Sequence, residues 1–111
     1  MSASLIAKLR KAREFSVEAG GHKFTVSRPT DVDAIELAGI APVEFVRKFV
    51  IGWDLKELDV IPGGSPEPVA FDADLWAEWI ADHPELWEPI AVPIMDAYRR
   101  HVEQREAAAK N

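Results

Sequence analysis

The fold turns on Phe15-Ser16-Val17-Glu18-Ala19-Gly20-Gly21-His22-Lys23-Phe24-Thr25-Val26-Ser27-Arg28. Larger apolar residues alternate with polar ones on both sides of Gly20-Gly21, the period of a strand with one buried face. Two glycines in succession supply the positive φ that a tight hairpin connection needs. The stretch therefore predicts a β-hairpin over 15–28. A lone hairpin is marginal in water, so Phe15, Val17, Phe24 and Val26 must pack against another element.

On the N-terminal side, Leu5, Ile6 and Leu9 fall at i, i+1 and i+4 among Lys8, Arg10, Lys11 and Arg13, which predicts a basic helix within 1–14. On the other side Pro29 ends the second strand. Thr30-Asp31-Val32-Asp33 approximates a capping box and starts a short helix, punctuated by Gly39 and Pro42. Val46, Phe49, Val50 and Trp53 follow i, i+3, i+4, i+7, which predicts a helix whose buried stripe shares a core with the hairpin. Residues 54–70 bring Pro62, Gly63, Gly64, Ser65, Pro66 and Pro68 close together and read as a mobile loop.

Asp72 is an N-cap for a helix carrying Leu75, Trp76, Trp79 and Ile80. His83-Pro84 closes it, with His83 placed to bond the last carbonyls. Residues 85–108 are helical in pattern, with Ile90, Ile94, Ala97, Tyr98, His101 and Val102 on one face and Pro89 and Pro93 interrupting early. The tail 106–111 is expected to fray. The expectation is one domain over 1–111, α+β by order and mainly helical by content: an N-terminal helix and β-hairpin followed by about four short helices, the helical region spanning 29–105.

The chain is 48% hydrophobic and 29% charged, the balance of a globular protein. No apolar run approaches the roughly 20 residues of a bilayer span, so no membrane association is expected. Residues 1–15 lack the apolar stretch and cleavage site of a signal peptide. Without cysteine there is no disulfide, thiolate metal site or thiol nucleophile. The net charge of −6 is unevenly spread: residues 1–28 carry six basic groups against two acidic, and residues 54–96 eleven acidic groups against Lys56 alone. Such an acidic half repels phosphate backbones, so nucleic acid is not an expected partner. The basic segment complements an acidic patch on another copy or on a partner; the plainer alternative is a solvated helix face.

A catalytic constellation is hard to find. His22, His83 and His101 are scattered, with no H-E-x-x-H spacing. Gly63-Gly64-Ser65 lacks the lysine of a phosphate loop, and Asp72, Asp74, Glu78 and Asp82 read as a solvated acidic side. The expectation is a non-enzyme with no metal and no cofactor. Four tryptophans in 111 residues stand out. Trp53 reads as core. Trp76, Trp79 and Trp87 crowd into a region where a small domain has little room to bury them, and part-exposed tryptophans anchor interfaces. Trp76 and Trp79 fit core and interface equally well, and Trp87 leans to interface. These three are the candidate protein-binding residues, with the basic 1–14 helix as the next surface.

Ser27-Arg28-Pro29-Thr30-Asp31, directly after a hairpin, resembles the Arg-Pro-Thr-Asp element of bacteriophage tail assembly chaperones. So does the later block: Val50-Ile51-Gly52-Trp53-Asp54, a Gly/Pro loop, Pro68-Val69-Ala70-Phe71-Asp72, a short helix, a proline and a final helix through Tyr98. The likeness covers residues 15–100. Ser27 stands where a second arginine is expected, the loop has extra proline and glycine, and 76–87 is richer in tryptophan. The resemblance implies a non-enzymatic chaperone of the long-tailed phages, working in the host cytoplasm and absent from the mature virion. It would coat the tape measure protein and leave as major tail protein subunits polymerise, with self-association as a further expectation. The rival is a structural or adaptor subunit retained in the tail.

Members of that family are often made in two forms, the longer by a programmed ribosomal frameshift. The ending Ala109-Lys110-Asn111 can be encoded GCA AAA AAC, which contains the slippery run A AAA AAC. The expected outcome of reading the nucleotides is this run at Lys110-Asn111, with an open −1 frame continuing past the stop. Codons without it would end the idea.

Overall fold

The computed structural model describes residues 2–110, and it is an α+β, mainly helical fold with an N-terminal helix and hairpin. Strands β1 (Glu14–Ala19) and β2 (His22–Ser27) pair antiparallel, with Phe15 opposite Val26 and Val17 opposite Phe24. Gly20 and Gly21 have φ of +59° and +79°, the left-handed pair that matches the twist of the strands. One face of the hairpin carries the buried Val17, Ala19, Phe24 and Val26. The opposite face is polar, with Ser16, Glu18 and Lys23 exposed.

The stripe from Val46 to Trp53 is not one helix. Helix α3 (Pro42–Phe49) stops where a third strand, β3 (Val50–Trp53), pairs antiparallel with β2, giving the sheet order β1-β2-β3. Two causes act together. Val-Ile-Gly-Trp suits a strand, and the outer edge of β2 would otherwise leave its backbone groups unpaired. Gly52 permits the close approach, since a Cβ there would lie 3.1 Å from Cβ of Thr25. The expected core survives the change: Val46, Phe49 and Val50 are buried, while Phe15 and Trp53 pack half-buried against the cluster.

Residues 54–70, expected to be a mobile loop, form a strap closed by backbone hydrogen bonds. Leu55 is buried at its root. Amide N–H groups of Glu57, Leu58 and Val69 donate to carbonyls of Glu67, Ser65 and Leu55 at 2.9, 2.9 and 3.0 Å. A single turn, α4 (Glu57–Val60), sits at the near end, and Glu57 Oε1 accepts from the Ser65 amide at 3.0 Å. A Cβ on Gly64 would fall 2.7 Å from the Glu57 backbone. The prolines and glycines thus shape tight turns within a hydrogen-bonded segment.

Helix α2 (Asp31–Glu36) opens on the expected capping box: Thr30 N–H donates to Asp33 Oδ2 and Asp33 N–H to Thr30 Oγ1. Asp72 caps α5 (Ala73–Ala81) by accepting from the Leu75 amide at 2.9 Å. A short 3-10 turn (Pro84–Leu86) leads into α6 (Trp87–Ala109), whose Ile90, Ala91 and Ile94 are buried. Pro89 lies in its first turn and Pro93 in its interior, so burial of neighbouring residues offsets the one backbone bond that Pro93 removes. The helix runs to Ala109, through the residues of the tail expected to fray. Alanine-rich sequence favours continued helix. Asn111, the end of the expected slippage site, lies outside the described residues, as does Met1 at the head of the 1–14 helix. No helix among the described residues is long and apolar enough to cross a membrane.

Phe49 sits 4% exposed with its ring 4.8 Å from that of Phe45. Phe49→Ala is expected to destabilise the domain by about 3–5 kcal/mol through lost burial and a residual cavity. A thermal melt unchanged from the parent would show that the 46–50 stripe is not core.

Candidate functional site

Every tryptophan indole N–H donates to a backbone carbonyl. Trp76 bonds Val46 at the end of α3 (3.2 Å), Trp79 bonds Asp59 in α4 (3.0 Å), Trp53 bonds Val69 on the far limb of the strap (2.8 Å), and Trp87 bonds Ile80 in α5 (2.7 Å). Trp76 is 0% and Trp79 8% exposed. Their rings stack 5.9 Å apart, with Phe24 5.3 Å from Trp76. His83 stacks on Trp79 at 3.9 Å, and its Nδ1 donates to the Trp79 carbonyl at 2.6 Å, which places the proton on Nδ1 because a carbonyl only accepts.

Trp76 and Trp79 are therefore core residues and not interface anchors. Trp87 is half-buried, with its polar edge used inside the fold. A domain of this length has room for them because the strap closes over Trp53 and Trp79 and adds core that a mobile loop would not supply.

The exposed apolar surface lies elsewhere. Gly39, at φ +82°, ends the chain's run after α2 in the left-handed region, and Pro42 starts α3 afresh. The turn between them stands off from α6 and opens a trough. Leu37, Ile40, Pro42 and Phe45 form one wall and Ala91, Val92 and Met95 the other, with Glu88 at the mouth, enclosing about 470 Å³. A second depression of about 200 Å³ continues it past Pro29, Ala34 and Tyr98, sharing Leu37, Phe45 and Met95. The trough thus follows α6 from Glu88 to Tyr98. Val92 and Met95 are 51% and 56% exposed. Of the acidic groups along it, Asp33 pairs with Lys48 at 3.8 Å and Asp96 with Arg99. Glu88 makes no ion pair among the described residues.

The sequence analysis did not single out this trough. The one signal it could have used is that Val92 and Met95 are apolar yet sit off the Ile90/Ile94 face of α6. Among the described residues no group of three acidic or histidine side chains is placed to hold a metal ion.

Comparison with known protein families, curated proteins and solved structures returns no match. The trough is therefore read from its own geometry.

One clamp holds α2 over α6 and so sets the trough's far end. Asp31 accepts from Arg105 Nη1 at 2.5 Å and from the Tyr98 hydroxyl at 2.8 Å. The Arg105 bond, then the Tyr98 bond, holds the Asp31 carboxyl below its ordinary range, and the Asp31 bond raises Tyr98 and Arg105. A depressed folded-state pKa contributes stability above the unfolded value, lost as pH falls through the folded one. Asp31 and Arg105 are exposed and Tyr98 half-buried, so the effect is local. Protection of the amides over 99–109, taken relative to the intrinsic exchange rate at each pH, is expected to fall in acid, and Asp31→Asn to show that lower protection already at neutral pH. Equal protection of this segment in parent and variant would show that the clamp holds nothing.

Proposed function

We propose that this chain is a tail assembly chaperone of the kind its sequence resembles. It holds the tape measure protein in the host cytoplasm and gives way to major tail protein subunits. The observation that carries the reading is the open apolar trough along α6. Contiguous exposed apolar surface marks sites where proteins meet, and a groove between helices takes the apolar face of an amphipathic segment. Apolar lining holds many sequences without demanding one, which suits a protein that coats a long client and later lets go. The net charge of −6 suits a protein that must stay dispersed while the trough is empty. On this reading the partner surface is the trough, and Trp87, at the start of α6, is not among its lining residues.

Met95→Asp places a carboxylate on the apolar wall at a position that is 56% exposed, so the fold should tolerate it. Co-expressed tape measure protein of the same phage is expected to stay soluble with the parent and to precipitate with Met95→Asp. Trp87→Ala should weaken capture less. Undiminished capture by a folded Met95→Asp variant would move the surface off the trough. Mass spectrometry of purified virions separates the rival: a retained subunit would appear in stoichiometric amounts, and a chaperone would be absent.

A further inference from the structure

Helix α1 (Ser2–Ala12) buries none of its residues, yet Leu5 and Leu9 are each 61% exposed and Ile6 45%. An isolated helix of eleven residues is marginal in water, and a helix in a protein draws most of its stability from packing an apolar face. The α1 face lacks that packing in its own chain. Its C-terminal end is tied to the hairpin, with Arg13 N–H donating to Arg10 and Arg28 N–H to Arg13. Ala12 and Phe15 lie over the later turns of α6, at Ala97, Arg100, His101 and Gln104. The trough, on the earlier turns, is left open.

We propose that α1 of one copy of this chain docks in the trough of a second copy. Size agrees: α1 has eleven residues, and the trough follows α6 over the eleven positions from Glu88 to Tyr98, so both run about 16 Å. Chemistry agrees as well. Leu5 and Leu9 stand at i and i+4 with Ile6 beside them, the spacing of anchors in a helix-in-groove contact. Charge agrees: α1 carries Lys8, Arg10 and Lys11 and no acidic residue, and the trough offers the unpaired Glu88. Such a contact is heterologous, joining two different surfaces of the same chain. It also covers the trough when no client is bound, so client and α1 compete. The contact stands on the two surfaces themselves, whatever the client is.

Sedimentation velocity of the full chain over a concentration series tests this. The parent is expected to self-associate, less so as salt screens the charged rim. Leu9→Asp and Met95→Asp, both at exposed positions, should each weaken association by about tenfold or more, because either carboxylate would be buried against apolar surface. An equimolar mixture of the two should recover a one-to-one pair, because one variant keeps an intact trough and the other an intact α1. A parent that stays monomeric throughout would overturn the proposal. So would a mixture that fails to pair, or dissociation by Leu9→Asp alone, which would mean α1 packing on α1. Loss of tape measure capture by Met95→Asp but not by Leu9→Asp would separate this contact from the chaperone reading, since the client needs only the trough and self-association needs both surfaces.

Discussion

The structure depends on a buried indole whose N–H has somewhere to go. Trp76 is sealed from solvent, and its Nε1 donates to the Val46 carbonyl. That same carbonyl accepts the Val50 amide, at the residue where α3 gives way to β3. A buried donor without an acceptor costs about 1–3 kcal/mol, and an indole in a core needs both its packing and its bond. Trp76 therefore ties three things to one point: α5, the end of α3 and the first residue of the third strand. Its ring lies against Phe24 on the central strand, so the sheet and the helices share that centre.

A chain of 111 residues has little volume for four tryptophans, and the strap is how it makes room. The segment 54–70 closes on itself through backbone bonds, places Leu55 inside and presents the Asp59 and Val69 carbonyls to Trp79 and Trp53. Phe71, just beyond it, meets Trp53 edge to face at 4.9 Å. Small domains bury a limited share of their surface; here the irregular connection is itself a wall of the core. Proline and glycine lower the entropy cost or relieve the strain of such turns, so a composition that suggests mobility also serves an ordered connection.

What remains for function is the surface that this packing leaves uncovered. Helix α6 spends Ile90 and Ile94 on the core and leaves Val92 and Met95 facing the turn after α2. The width of the trough depends on where α2 sits, which is governed by the Thr30 cap at one end and the exposed Asp31–Tyr98–Arg105 cluster that ties it to α6. A cap is a strong local constraint, and an exposed ion pair a weak one. The trough is thus bounded on one side by firmly packed helix and on the other by a short element with modest anchorage, an arrangement able to adjust to an occupant.

The sequence by itself determined the features whose causes are local. Gly20-Gly21 announced the hairpin because only positive φ makes that turn; Thr30 and Asp72 announced helix starts because their side chains bond amides three residues on; His83 announced a helix end because its ring bonds a carbonyl four residues back. Spacing carries such information because the bonded groups are a few residues apart. Tertiary structure decided the rest. Val50–Trp53 has helical spacing relative to Val46, yet becomes a strand because β2, about 25 residues earlier in the chain, has an edge to satisfy. Trp76 and Trp79 look like surplus aromatic surface until the strap covers them, and Val92 and Met95 look unremarkable until the turn after α2 stands away from them. Burial is a property of what lies across from a residue, and no local spacing records that.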